Sequence, residues 1–263
     1  MPDIVDYAEV PYLQELLNFL PINPDDEEDV ISYIQNITNL VALNYKYGQY
    51  QFAYFGIHLL YMTYIYCVAW KIGQIEPERY KDAIVFARSY SGREKDLKIE
   101  DADSIFAYSL MPEKDIAKLF KIIDLDKSNI KIVSDLVDTR NDMAHASGKF
   151  EILTEDSFDA KVRIVLTSMK SIHRNMDKPI RKWYEQVLLR FCAGEYDGYD
   201  NPKDFISEQM IQSFKLSANE LLVCNEMSVK KLSDEHKEYK VKLREFKENV
   251  LEHCQELDIF STF

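Results

Sequence analysis

Three side chains near the middle of the chain have types and spacing that could do chemistry, in the stretch DLVDTRNDMAHASGKF at residues 135–150. Arg140 provides a planar cation that can hold two oxygens of a phosphate, and His145 can move protons because its ordinary pKa lies near neutral pH. Asn141 and His145 are four residues apart, so they are neighbours on the surface of a helix. Together these groups could bind an anion and transfer protons at one place.

A single helix is expected to position these side chains, over about residues 129–146. Asp126 and Ser128 are candidate caps at its start, and Gly148 is placed to end it. Arg140 lies in line with an apolar stripe, so we expect it to be buried or interfacial and to need an anion or a carboxylate as partner. The stripe consists of Val133, Leu136, Val137, Met143 and Ala144.

The hexapeptide RNDMAH at residues 140–145 resembles the R-x(4–6)-H motif of HEPN domains, in its R-N-x-x-x-H form. The resemblance covers about residues 28–192, where a series of helices carries the motif near the end of a late helix. It implies a HEPN-like antiparallel helical bundle, a homodimer in which two copies of the motif meet, and metal-independent endoribonuclease activity. In that pattern the 2′-hydroxyl of RNA attacks the adjacent phosphate and leaves a 2′,3′-cyclic phosphate.

The resemblance also implies roles for the three residues. His145 would move protons, Arg140 would hold the phosphate and its developing charge by a bidentate contact, and Asn141 would orient a phosphate oxygen or the histidine of the second subunit. This chemistry requires no metal ion and no cofactor. Its substrate would be RNA, with tRNA as one candidate. Such enzymes are typically toxins or antiphage-defence effectors and are often restrained by a partner. The regulator would be a separate antitoxin or regulatory protein, or the C-terminal helical tail.

The charge distribution predicts where RNA could bind. The chain carries a net charge of −13, which argues against a protein that coats nucleic acid, but the window 161–182 has seven basic residues and one acid, Asp177. Either this window binds flanking phosphates, with a tyrosine or Trp183 stacking on a base, or it is a solvated helix face. The candidate RNA-binding residues are Lys161, Arg163, Lys170, Arg174, Lys178, Arg181 and Lys182.

Composition predicts an all-α fold. Glycine (7) and proline (8) are scarce, and helical periodicity recurs along the chain. Residues 50–70 contain no charged side chain and are long enough to cross a bilayer, but polar residues are spread through them, which favours a buried core helix and no membrane. Four widely spaced cysteines and an acidic N-terminus without a signal pattern indicate the cytoplasm.

Turn-forming residues at 192–204 suggest a division of the chain into an N-terminal helical segment (1–27), a HEPN-like domain (28–192) and a C-terminal helical extension (193–263). Separate helices are expected at about 155–176 and 178–192, and another at about 204–225. Residues 229–257 show a seven-residue apolar cycle, typical of a helix that packs along a partner helix. Packing within the chain is favoured over packing on a second copy.

Other functional interpretations remain. The stretch at 124–135 begins like a calcium loop, but Asn129 replaces the required glycine and Asp135 the bidentate glutamate, so a helix cap explains it better. The histidines outside the motif are interpreted as structural. The alternative to a ribonuclease is a non-catalytic binding or scaffold module that uses the heptad tail for a protein partner. A sensor that binds a nucleotide through Arg140 and His145 is a third interpretation.

Overall fold

The computed structural model describes residues 9–22, 28–87, 104–144 and 152–257. These residues form helices and no strand, so the predicted all-α fold is confirmed. The chain divides into two compact units: the first contains residues 1–17 and 28–175, and the second contains residues 18–27 and 176–263. Each unit has its own buried apolar residues.

The described part of the first unit contains α-helices and two 3-10 helices. The 3-10 helices are Ile105–Leu110 and Ala117–Ile123. The α-helices are α1 (Leu13–Leu17), α2 (Glu28–Lys46), α3 (Tyr50–Ile75), α4 (Pro77–Ala87), α5 (Glu113–Ile116) and α6 (Lys127–Ala144), followed by the first part of α7 (Glu155–Cys192).

Helix α3 is the core of the first unit. It is long and apolar enough to cross a membrane, but 83% of its most apolar window is buried inside the protein. Its tyrosines find polar partners there: the Tyr61 hydroxyl lies 2.8 Å from the Ser168 hydroxyl, and the Tyr64 hydroxyl donates to the Met169 carbonyl at 3.1 Å. Buried tyrosines with such partners are typical of the centre of a soluble domain.

Helix α6 begins at the predicted cap. The Asp126 carboxylate accepts hydrogen bonds from the Asn129 amide at 2.8 Å and the Ser128 hydroxyl at 2.6 Å. These contacts, with that of Ser128 the largest, lower the pKa of Asp126 to about 2. A helix N-cap therefore accounts for the polar residues that resembled a calcium loop.

Helix α7 corrects the prediction of two helices at 155–176 and 178–192. It continues from Glu155 to Cys192 with Pro179 inside it. Proline has no N–H to donate to the carbonyl four residues earlier, here that of Asn175. Close to this proline, between Asn175 and Met176, the first unit ends and the second continues. This division lies earlier in the chain than the turn-rich segment 192–204, where the sequence suggested a boundary.

The second unit contains the rest of α7 and several short helices. The single helix predicted at 204–225 is interrupted, because Lys215 has a positive φ of 65° and the Leu216 carbonyl accepts a hydrogen bond from the Ile22 amide at 2.9 Å. A new helix then begins at Ala218, with Ser217 as its N-cap. The helices are α8 (Pro202–Phe205), a π-helix (Ile206–Ser213), α9 (Ala218–Glu226), α10 (Lys230–Glu235), a 3-10 turn (Lys237–Tyr239) and α11 (Lys240–Glu256).

The heptad tail packs within the second unit. The cycle predicted over 229–257 is broken near His236, between α10 and α11. In α11, Leu243, Phe246 and Val250 are fully buried, and this helix packs against α8 and α9. The favoured prediction, that these apolar residues pack within the chain, is therefore confirmed for α11.

Candidate functional site

Arg140 is positioned by the last turns of α6. Val133, Leu136 and Val137 are buried along this helix, and the Arg140 side chain, one turn beyond Leu136, is 22% exposed. The expectation of a half-buried arginine with an ionic partner is confirmed. That partner is a carboxylate of the same chain, because Arg140 Nη2 donates to Glu113 Oε2.

Glu113 approaches Arg140 from a different element. It lies in the first turn of α5, directly after Pro112, and α5 packs against both α3 and α6. Burial tends to raise the pKa of Glu113, but His58 and the Arg140 guanidinium outweigh burial and lower this pKa below its ordinary value. Glu113 is therefore a carboxylate at neutral pH, and the two charges compensate each other.

His58 lies behind this ion pair. It belongs to α3 and is fully buried, and among the described residues neither of its ring nitrogens has a hydrogen-bond partner. Its Nε2 is 3.9 Å from Glu113 Oε2, which is too long for a hydrogen bond but close enough for an electrostatic interaction. Burial lowers the pKa of His58, and the Glu113 carboxylate offsets this only in part, so the imidazole is neutral near pH 7.

The other two residues of the motif follow Arg140 on the same helix. Asn141 lies in the last turn of α6 and is half-buried. His145 comes directly after Ala144 and, with Gly148, lies outside the described residues. The structure therefore places Arg140 and Asn141 at the end of α6, and the contact of His145 with either of them stays a prediction.

The chemistry of Arg140 is restricted by these contacts. One N–H of Nη2 is used by Glu113, and Nε is buried without a hydrogen-bond partner among the described residues. None of these residues hydrogen-bonds to Nη1, so Nη1 and the second N–H of Nη2 are left to reach an anion through charge-assisted hydrogen bonds.

Comparison of the chain with models of known protein families, with curated proteins and with solved structures finds no match in any of the three. The HEPN resemblance therefore rests on the sequence alone and stays a prediction.

In the first unit, the predicted RNA-binding residues do not share one surface. At 100° per residue, Arg163, Lys170 and Arg174 lie on one face of α7, whereas Lys161 lies on the opposite face, where its Nζ is 5.7 Å from the Tyr54 ring centre. Lys170 forms an ion pair with Glu15, and the Arg163 guanidinium lies over the Tyr12 ring at 5.2 Å. Arg174 is exposed.

In the second unit, Lys178 and Lys182 are exposed, but Arg181 is held by acids, at 2.9 Å from Asp177 and 3.6 Å from Glu226. Trp183 stacks on Phe214, with ring centres 3.7 Å apart and planes inclined by 8°. One face of the indole is therefore covered by the protein, which reduces its use as the predicted base-stacking platform.

Sequence reasoning missed Glu113 and His58. His58 was interpreted as structural, and nothing in its helix pointed to Arg140. The only sequence signal was the half-buried arginine itself, which required a carboxylate or an anion somewhere. Which acid would meet it depends on how α3, α5 and α6 pack, and local patterns do not encode that packing.

Proposed function

We propose that this chain is a metal-independent endoribonuclease of HEPN type, a toxin or antiphage-defence effector that acts in the cytoplasm and cleaves RNA to a 2′,3′-cyclic phosphate. The observation that carries the proposal is the position of Arg140 and Asn141 together in the last turns of α6, directly before His145. A guanidinium held in place can stabilise charge on a phosphate, while a histidine moves protons to and from the attacking and leaving oxygens.

The test is cleavage of an end-labelled tRNA pool by the purified protein, with and without EDTA. We expect cleavage to survive EDTA and to produce cyclic phosphate ends, and we expect His145→Ala and Arg140→Ala each to lower the rate by about 100-fold or more. Lys131→Ala is the matched control, because it removes a 2.6 Å ion pair with Asp135 on the same helix and leaves the motif intact. Equal cleavage by the wild type and His145→Ala would mean a contaminating nuclease.

A shared site between two copies of the chain is part of this proposal. Mixing the inactive His145→Ala and Arg140→Ala chains tests whether two subunits share a site. In a mixed dimer with a shared site, one chain provides the intact arginine and the other provides the intact histidine. Recovery of cleavage in the mixture supports the homodimer. A mixture as inactive as its components argues that each site is built from one chain.

A second candidate is a non-catalytic helical module, and the ion pair between Arg140 and Glu113 favours it. This contact satisfies a half-buried arginine without any ligand, as a purely structural residue would require. The seven-residue apolar cycle at residues 229–257 gives this candidate little support. Its apolar residues in α11 are buried inside the second unit and are therefore not exposed to a protein partner. The same assay separates the two functions: a folded wild type without any RNA cleavage supports the module.

A further inference from the structure

The contact between Arg140 and Glu113 joins two elements at the residue that the proposed function needs most. Glu113 begins α5, and Arg140 lies near the end of α6. Because both side chains are only 22% exposed, their interaction is less screened by water than a surface ion pair. The pair fixes the direction of a side chain that has many rotamers.

The environment behind Glu113 restricts it further. His58, fully buried in α3, faces the same carboxylate oxygen, Oε2, that accepts from Arg140. Among the described residues, phenols of α2 and α3 also lie near this cluster: the ring centres of Tyr61 and His58 are 6.3 Å apart, and Tyr66 interacts with Glu113, Arg140 and Tyr33. Burial raises the pKa of Tyr66, so it is uncharged, and Glu113 and Arg140 are the only charged groups among these residues.

We propose that Glu113, whose Oε2 lies 3.9 Å from Nε2 of the buried His58, is a positioning residue for Arg140: it holds Nη2 and directs Nη1 toward a phosphate oxygen. This inference rests on the proposed ribonuclease function. Glu113 does not contact the RNA; it acts through the guanidinium. Its effect is expected mainly on kcat, because a correctly directed guanidinium matters most when charge builds up on the phosphate.

The experiment compares Glu113→Ala and Glu113→Gln with Asp138→Ala. Asp138 is two residues before Arg140 and forms an ion pair with Lys114, so the control also removes a contact between α5 and α6 but not the one between Glu113 and Arg140. We expect kcat for a labelled single-stranded RNA to fall about 100-fold in Glu113→Ala. In Glu113→Gln it should fall only about 10-fold, because the amide oxygen still accepts a hydrogen bond from Nη2. KM should change less than about threefold in both variants. Asp138→Ala should retain the wild-type kcat.

A second readout needs no activity. The buried Nε–H of Arg140 should give a slowly exchanging signal in the nitrogen-15 NMR spectrum, assigned by its loss in Arg140→Lys. We expect this signal to broaden or vanish in Glu113→Ala and to persist in Asp138→Ala.

The outcomes separate this inference from the proposed function. Suppose that the wild type cleaves RNA. If Glu113→Ala and Asp138→Ala then have the same kcat, or if the Arg140 signal is unchanged in Glu113→Ala, the role of Glu113 is overturned and the ribonuclease function stands. A higher kcat in Glu113→Ala overturns the role as well, because it would mean that Glu113 restrains Arg140. A wild type without cleavage overturns the ribonuclease and the role of Glu113 with it.

Discussion

Inside the protein, Arg140 Nη2 donates one hydrogen bond to Glu113, and Nε is buried. A lysine at this position would have a single ammonium group to satisfy both Glu113 and a phosphate. We therefore expect Arg140→Lys to lower kcat by about 100-fold or more, close to the effect of Arg140→Ala. The RNA cleavage assay measures this change in kcat. Lys131→Arg, the reciprocal exchange at another position of α6, is the control. Near-normal activity of Arg140→Lys would show that charge alone suffices.

His58 should make the stability of the first unit depend on pH. Because its pKa is lowered in the folded state, the unfolded chain binds a proton more readily below about pH 6.5. The contribution of His58 to stability is thus complete above that pH and decreases as the pH falls, by at most about 1.4 kcal/mol per pH unit.

Urea unfolding between pH 7 and pH 5 tests this effect of His58. The free energy of unfolding should decrease less steeply in His58→Gln than in the wild type. Parallel curves for the wild type and His58→Gln would contradict the assignment.

At the scale of elements, α2 and α3 approach closely at Gly56. A Cβ at this position would lie 2.5 Å from Val41 Cγ2 and 2.9 Å from Leu40 Cδ2, and Val41 is fully buried, so it has little room to move. We expect Gly56→Ala to destabilise the protein by about 1–3 kcal/mol in spite of the better helix propensity of alanine. Denaturant midpoints followed by circular dichroism measure the change.

Gly73, in the same helix, is the matched control. Its Cβ would meet Tyr80 at 3.5 Å, an ordinary van der Waals distance. Gly73→Ala should therefore be neutral or stabilising, by up to about 1 kcal/mol. Equal effects at the two glycines would mean that helix propensity, not close packing, decides both.

The start of α9 depends on a capping box. The buried Ser217 hydroxyl accepts from the Glu220 amide at 3.3 Å, and the Glu220 carboxylate accepts from the Ser217 amide at 2.9 Å. Ser217→Ala should cost about 1 kcal/mol of stability. Ser213→Ala, at an exposed position of the same unit, should stay within about 0.5 kcal/mol of the wild type in the same urea titration. An equally stable Ser217→Ala would show that the box contributes little.

Local chemistry explains which elements the sequence could predict. The apolar period and the Asp126 cap predicted α6, whereas the helix predicted at 204–225 runs through Ser217-x-x-Glu220, the capping pattern at which α9 begins. Pro179 suggested a helix start, yet α7 continues through it, and Met176 and Ile180 beside it are buried. The pairing of Glu113 with Arg140 joins residues 27 positions apart through tertiary packing, which no local period encodes.

At the scale of the whole molecule, a net charge of −13 means that any RNA must be bound by a few favourably placed cations. Arg174 is exposed, whereas Lys170 would first have to leave Glu15. We expect Arg174→Ala to weaken binding of an uncleavable 2′-O-methyl oligonucleotide and to reduce the salt dependence of log K by about 0.7. Lys170→Ala should have a smaller effect on both. Identical salt slopes for the two variants and the wild type would exclude this face of α7 from RNA binding.

The chain has two tryptophans, and they fall in different units: Trp70 in α3 and Trp183 against Phe214. Replacing either one by phenylalanine would leave a single indole fluorophore, whose emission reports on its own half of the polypeptide. A denaturant titration of the two variants would then reveal whether the halves melt together or in sequence. Coincident curves would indicate one cooperative transition, and displaced curves would identify the half that opens first.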